Sequence, residues 1–345
     1  MLALIIRQEI LTVFSKVYFT KWRLSNGMSN LYIVKYHYVR DLQNSRYPKI
    51  KGLNTSQFKE QIEFFKKNFS PVTIEDVIAY YDEGIALPDN ALLLTFDDGY
   101  IDHFTTVFPI LQENNIQGSF FIPGKTFSEN VLLDVNKIHF VLASAPNHEV
   151  YNEVLNYIDD VIDNHECNLP SKEELIEKYA IDGRFDQKEI IFIKRMLQTV
   201  LPEEIRSRIT SDLFSKYVGI DESKFARELY MNLDQIKCMK RNGMYIGLHG
   251  YDHYWLGNLP KEQMKTDIAA SLSALSDVVD VRSYVMNYPY GNYNENVLDY
   301  LRETGCKLAM TGEETIAVPE KNNRLLLPRL DCNDFPPKSD NYAKG

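Results

Sequence analysis

Short apolar runs rich in β-branched and aromatic residues alternate along the chain with segments whose apolar positions recur at helical spacing. In the first third of the chain, such runs predict strands over residues 31–39, 91–96 and 118–124. The segments between them predict three helices: Thr55 can cap the first, Thr73 opens the second, and the third covers residues 102–115. This alternation predicts an α/β fold with parallel strands joined by crossover helices.

The pattern becomes helical throughout between residues 126 and 235, in a stretch rich in Glu, Asp and Lys. The alternation then resumes, with predicted strands over residues 244–248, 281–287, 307–310 and 325–327. We therefore predict an α/β domain built from residues 31–125 and 236–335, with residues 126–235 as a large helical insertion.

Residues 1–30 form a separate predicted helical segment, because apolar residues recur there at helical spacing. Arg7, Glu9 and Lys16 interrupt the apolar core that a signal peptide needs, and no stretch approaches the roughly 20 apolar residues of a spanning helix. We expect a helix docked on the body and a cytoplasmic location. Peripheral membrane association through this segment is the alternative.

Composition narrows the class of partner. The formal charge of −10 argues against nucleic acid, whose phosphates require a cationic protein surface. The cysteines include no closely spaced pair, which favours reduced thiols over a disulfide framework or a zinc ribbon. They are Cys167, Cys238, Cys306 and Cys332. The sequence does not indicate an oligomeric state.

Two short segments carry candidate chemistry, each directly after an apolar strand. One ends in Asp97 and Asp98, the other in His249 and His253. Taken alone, the acidic pair is ordinary turn chemistry and the histidines could be surface or core residues. Together they favour a metal site, because one carboxylate and two imidazoles can hold a divalent cation and leave positions open. The second carboxylate would then be free to act as a base.

These segments resemble motifs of a known family. Thr95-Phe96-Asp97-Asp98-Gly99-Tyr100 and His249-Gly250-Tyr251-Asp252-His253 are similar to the first two motifs of the polysaccharide deacetylase family, also called carbohydrate esterase family four or the NodB-homology family. Tyr288-Pro289-Tyr290-Gly291 resembles the third motif. The resemblance covers residues 31–125 and 234–332 and leaves the insertion outside. It implies a distorted (β/α) barrel.

The resemblance also implies roles for individual residues. Asp98, His249 and His253 would ligate a divalent metal, with zinc expected, and Asp97 would be the general base. The backbone N–H of Tyr290 would stabilise the oxyanion that forms at the attacked carbonyl. The products would be acetate and a free amine on the sugar.

Two departures from the family pattern stand out. Asn287 occupies the position where the third motif usually begins with an arginine that orients the catalytic aspartate. Arg329 is our candidate replacement, with a surface ion pair to Asp331 as the alternative. No histidine follows His253 to serve as the usual general acid. His37 resembles the N-terminal catalytic histidine of the poly-N-acetylglucosamine deacetylase subgroup, and a hydrogen-bonded core histidine is the alternative.

The remaining histidines are interpreted as ordinary: His103, His139, His148 and His165. A polar group early in the insertion could reach over the cleft and select the substrate, or be a solvated helix start, and stays outside the catalytic set. It comprises Asp134, Asn136, Lys137 and His139.

The sequence therefore predicts a zinc-dependent hydrolase that removes N-acetyl groups from an amino sugar in a surface-glycan or polysaccharide precursor. The expected partner is an N-acetylated sugar or oligosaccharide. Two alternatives stay open: a non-catalytic carbohydrate-binding relative of the same fold, and a deacylase or esterase for a different acyl group.

Overall fold

A computed structural model describes residues 30–344. The predicted N-terminal helix, and the membrane association that it could mediate, fall almost entirely outside these residues. Among the described residues, none of the helices combines the length and apolar character required to cross a membrane.

A single curved sheet of parallel strands forms the centre of the molecule, as the sequence pattern predicts. Its order is β10-β1-β5-β6-β7-β8-β9, with β4 alongside β5. A short parallel pair, β2 and β3, lies apart. The strands are β1 Leu31–Tyr36, β2 Val39–Arg40, β3 Leu53–Asn54, β4 Ser70–Pro71, β5 Ala91–Asp97, β6 Gly118–Ile122, β7 Tyr245–Leu248, β8 Tyr284–Asn287, β9 Cys306–Met310 and β10 Leu330–Asp331.

Helices cover the outer face of the sheet and form the insertion. Those of the α/β body are α1 Thr55–Asn68, α2 Ile74–Glu83, α3 Phe108–Glu113, α4 Gly124–Ser128, α11 Leu233–Arg241, α12 Lys261–Ala274 and α13 Glu295–Thr304. Those of the insertion are α5 Asp134–Ser144, α6 Asn147–Asp163, α7 Lys172–Tyr179, α8 Lys188–Arg195, α9 Glu203–Tyr217 and α10 Glu222–Leu229. A five-residue π-helical turn precedes α3, over His103–Val107.

Side chains alternate between the two faces of each strand, as the pleat requires. In β5, Leu92, Leu94 and Phe96 pack outward against the helices, while Ala91 and Leu93 pack in the interior of the curved sheet. Both faces are therefore buried, which explains the nearly continuous apolar runs in the sequence.

The two edges of the sheet approach each other through residues 325–331, and the strand predicted there is partly wrong. Leu327 makes only an isolated bridge to Met310 of β9, and the regular strand is Leu330–Asp331, which pairs with β1. This short segment thus contacts both edge strands and completes a distorted barrel. Pro328, which has no N–H to donate, separates the two contacts.

Several predicted boundaries shift by one to a few residues. The strand expected over residues 118–124 ends at Ile122. The strand expected over 31–39 ends at Tyr36 and is followed after His37 and Tyr38 by β2. The strand expected from residue 281 starts at Tyr284. The first helix is capped by Asn54 rather than Thr55, because the Asn54 side chain accepts the Ser56 N–H at 3.0 Å.

The insertion has a hydrophobic core of its own, formed mainly by residues between Leu132 and Tyr230. Tyr38 and Tyr100, from loops at the carboxyl ends of barrel strands, pack into this core. The end of the insertion is held against the barrel, because the Met231 N–H donates to the Gly99 carbonyl at 3.0 Å. All four cysteines are unpaired.

Candidate active site

The candidate residues gather at the carboxyl end of the barrel because they share the inward register of their strands. Asp97 continues the inward series of β5, and Asn287 follows the inward Val285 of β8. His249 follows Tyr245 and Arg329 follows Leu327 in the same two-residue period. Parallel α/β folds place reactive groups at this end, where the loops converge.

Asp98, His249 and His253 form a compact buried group, although sequence separates Asp98 from the histidines by some 150 positions. The Nε2 atoms of His249 and His253 lie 3.4 and 3.3 Å from Asp98 Oδ1. One ligand atom from each residue falls within 4.8 Å of the others. The histidines and the carboxylate thus converge on one point.

Backbone strain accompanies this convergence. Asp98 and His253 adopt left-handed conformations, with φ of 77° and 58°, which non-glycine residues rarely occupy. Gly99 continues the turn with φ of 69°, and a Cβ there would lie 2.8 Å from the Ile122 side chain. Strained positions of this kind persist where surrounding structure holds them, and they cluster at functional sites.

The orientation of His249 leaves its Nε2 atom available to a metal ion. His249 Nδ1 lies 2.8 Å from the Asn287 carbonyl, which can only accept, so Nδ1 carries a proton. Nε2 faces Asp98 Oδ1, a buried atom without a hydrogen-bond partner among the described residues. A metal ion, or a proton on Nε2, is needed between these two atoms to prevent repulsion of their lone pairs. The donor set therefore fits a divalent metal.

The charged and buried side chains of the group also shift one another's pKa values. Burial opposes ionisation of Asp98, but the two adjacent histidines and His37 hold the pKa of its carboxyl well below the usual range. Burial likewise disfavours the charged form of His249, yet Asp97 and Asp98 outweigh it and raise the pKa of that imidazole. For His253 burial prevails and lowers the pKa.

Asp97 is held by two partners. Asn287 Nδ2 donates to Asp97 Oδ1 at 2.6 Å, and Arg329 Nη1 lies 3.0 Å from Oδ1 and 2.8 Å from Oδ2. Arg329 is 2% exposed, and it pairs with Asp97 rather than with Asp331, whose salt bridge is to Lys35. Although burial raises the pKa of Asp97, Arg329 and His249 lower it below the usual value. Asp97 is therefore ionised at neutral pH.

Asn287 stands where the third motif of the family usually begins with an arginine. It contacts both parts of the site, since its side chain donates to Asp97 and its carbonyl accepts from His249. The orientation of Asp97 is thus shared between Asn287 and Arg329.

His37 lies at the end of β1, half-buried, and close enough to Asp97 and Asp98 to lower the pKa of both carboxyls. The carbonyl of His37 accepts a hydrogen bond from the buried His103 ring at 3.0 Å. Burial lowers the pKa of His103 to about 4 and that of His139 to about 3, so both rings are neutral at pH 7.

A cavity of about 450 Å³ opens beside His253 and Tyr290. The Tyr290 ring stacks on Trp255, with centroids 4.7 Å apart and planes at 13°. The backbone of Tyr290 is left-handed, with φ of 57°. Both the barrel and the insertion contribute to the lining, the insertion through Leu133, Asp134, Lys137, Glu203, Arg206 and Ser207. The insertion is therefore a wall of the cleft.

Asp267 of α12 supports the histidine loop and was not identified from the sequence. Its Oδ1 and Oδ2 accept the N–H groups of Tyr251 and Asp252 at 3.0 and 2.9 Å. Burial raises the pKa of Asp267 to about 6. The available signal was its helical spacing from the buried Met264 and Ser271, which places a carboxylate on the core-facing side of the helix.

Comparisons with known proteins identify the family of the chain and its fold. The family model described as polysaccharide deacetylase matches residues 84–166 and 218–309, just over half of the chain. The match therefore extends into both ends of the insertion.

The poly-beta-1,6-N-acetyl-D-glucosamine N-deacetylase of Escherichia coli (strain K12) is 36% identical over 80 residues, which are 23% of this chain and 12% of that protein. Two solved structures share the fold over 92% of this chain and 98% of their own: Streptococcus pyogenes deacetylase PplD in complex with acetate, with TM-score 0.55 and 16% identity, and IcaB from Ammonifex degensii, with TM-score 0.53 and 19% identity. The chain belongs to the polysaccharide deacetylase family.

Proposed function

We propose that this protein is a metal-dependent N-deacetylase acting on an amino sugar, with zinc held by Asp98, His249 and His253. The observation that carries the proposal is the convergence of two imidazole Nε2 atoms on Asp98 Oδ1, which has no hydrogen-bond partner among the described residues. Bound there, zinc would lower the pKa of a water molecule and polarise the acetamide carbonyl.

Asp97, His37 and Tyr290 would transfer the protons and stabilise the oxyanion. Asp97 is ionised and oriented by Asn287 and Arg329, so it can accept the proton that the attacking water loses. His37 lies near both carboxylates and would protonate the leaving amine. The backbone N–H of Tyr290 would donate to the developing oxyanion.

The cavity supports a sugar as the substrate. The aromatic pair Trp255 and Tyr290 offers an apolar surface beside His253, and polar side chains of the insertion contribute to the same lining. The similar Escherichia coli protein is named for an N-acetyl-D-glucosamine polymer. We propose an N-acetylated amino sugar of a glycan or its precursor as the substrate class.

An acetate-release assay tests this function directly. We expect zinc-loaded protein to release acetate from at least one member of a panel of monomeric, nucleotide-linked and oligomeric N-acetyl sugars. Chelation should abolish the release and added zinc should restore it, because the metal is the proposed Lewis acid that activates the water and polarises the carbonyl. Release of formate alone would indicate a deacylase for a different acyl group, and cleavage of an acetyl ester alone would indicate an esterase. Sugar binding without hydrolysis would instead support a non-catalytic relative.

A further inference from the structure

A buried chain of hydrogen bonds connects the insertion to Asp98. Tyr100 donates its hydroxyl proton to Asp98 Oδ2 at 2.5 Å, and Asn136 Nδ2 donates to the Tyr100 hydroxyl at 2.7 Å. The Tyr230 hydroxyl donates to Asn136 Oδ1 and accepts the Leu133 backbone N–H at 3.2 Å. Leu133, Asn136 and Tyr230 belong to the insertion, whereas Tyr100 and Asp98 belong to the barrel.

The direction of every proton in this chain follows from the Asp98 carboxylate. An ionised carboxylate can only accept, so the single proton of Tyr100 is directed to it. The Tyr100 oxygen is then left as an acceptor for Nδ2 of Asn136, which can only donate. This orientation places Asn136 Oδ1 toward Tyr230, whose hydroxyl donates to it and accepts the Leu133 backbone N–H.

Both hydrogens of Asn136 Nδ2 and the Asn136 Oδ1 atom take part in hydrogen bonds in this arrangement. Its second Nδ2 hydrogen donates to the Tyr38 hydroxyl at 3.0 Å, and Tyr38 in turn lies 3.4 Å from His139 Nδ1. Asn136 and Tyr100 are 0% exposed, and Tyr38 and Tyr230 are 3% and 4% exposed. A buried polar network in which every member is satisfied holds its groups in one geometry.

We propose that Asn136 is a positioning residue for the metal site: acting through Tyr100, it occupies Asp98 Oδ2 and leaves Oδ1 directed at the two histidines. The inference rests on the proposed metal-binding function. This positioning role would give the insertion a second function besides lining the cleft, because Asp98 is oriented only when the insertion packs against the barrel. Groups that orient metal ligands in this way typically contribute about 10–100-fold to metal affinity.

Zinc affinity measured by competition with a chromophoric chelator tests the proposal without reference to activity. Asn136→Asp keeps the shape but converts the donor toward Tyr100 into an acceptor, so the Tyr100 proton can turn away from Asp98. We expect it to weaken zinc binding by about 10–100-fold, and Tyr100→Phe to do the same. Because Asn136 acts through Tyr100, the double variant should bind zinc no more weakly than Tyr100→Phe alone.

Asn232→Asp is the matched control, because it makes the same chemical change at the edge of the same insertion. Asn232 accepts the Gln235 N–H at a helix start, a task that aspartate performs equally well. Zinc affinity of this variant should equal that of the wild type. Thermal unfolding of the metal-free proteins identifies any variant whose loss of affinity merely follows loss of folding.

Wild-type affinity in Asn136→Asp, or additive losses in the double variant, would overturn the role of Asn136. Asp98→Asn distinguishes that failure from failure of the metal site itself. If Asp98→Asn loses zinc and Asn136→Asp does not, only the positioning role is wrong. If Asp98→Asn also retains full affinity, the proposed metal site is wrong as well.

Discussion

Replacing Asp97 with asparagine is expected to lower kcat for acetate release by about 10²–10⁴-fold while zinc remains bound. The introduced amide could still accept hydrogen bonds from Asn287 and Arg329, but it could not take a proton from water. Zinc affinity should change little, because Asp98, His249 and His253 are untouched. Steady-state kinetics combined with metal analysis of the same preparation would measure both effects.

The control for Asp97→Asn must account for the arginine that loses its charge partner. Asp334→Asn makes the same change at another buried aspartate that pairs with an arginine, Arg184, away from the cleft. It should reduce thermal stability without reducing kcat. If both variants lose activity in proportion to their loss of stability, Asp97 is not the base.

Replacing Arg329 with methionine should be the most destabilising of the single changes considered. Asp97 and Arg329 are 1% and 2% exposed, and removing one partner of such a buried pair costs about 3–5 kcal/mol, since the other charge is left uncompensated. Arg302→Met, at an exposed pair with Asp299, should cost less than about 1 kcal/mol. Chemical denaturation of the metal-free proteins would measure both free energies of unfolding.

Arg329→Met should also change the pH dependence of kcat/KM and of stability, each in a defined direction. Arg329 holds the pKa of Asp97 below its usual value, so without it burial should raise that pKa. The acid limb of kcat/KM would then move to higher pH. An unfolded aspartate has a pKa of about 3.9. Above that pH, a carboxyl whose pKa is lower in the folded protein stabilises the fold, as in the wild type, and a carboxyl whose pKa is higher in the folded protein destabilises it, as in the variant. The stability difference from wild type should therefore be largest near neutral pH and narrow as pH falls toward 4. An unchanged acid limb would contradict this account of Asp97.

Much of the site could be predicted because strand alternation and chain order carry the necessary information. His37, Asp97 and His249 each follow an apolar strand, and the two-residue period places Asp97 on the inner face with Leu93. The motifs themselves indicate which side chains can bind metal. The parallel α/β barrel and the family membership predicted from these features are confirmed.

Other features depend on contacts that local sequence does not encode. The sequence marks Asn136 only as a member of a polar group at a helix start, and it does not mark Asp267 at all. Tertiary packing brings these two residues to Tyr100 and to the histidine loop. Similarly, nothing local shows that Arg329 is buried against Asp97 instead of lying at the surface with Asp331. The closing strand was misplaced because an apolar run, Leu325 to Leu327, precedes the short segment that actually pairs with β1.

Zinc binding by the wild type and by Asp98→Asn tests the central claim most directly. We expect the wild type to bind one zinc ion per chain. Asp98→Asn should weaken zinc binding by more than about 100-fold, the upper end of the losses caused by changing residues that only orient metal ligands. Chelator competition on folded, metal-free protein would give both dissociation constants. Equal zinc affinity in the two proteins, or acetate release by wild type that persists after complete metal removal, would contradict the account.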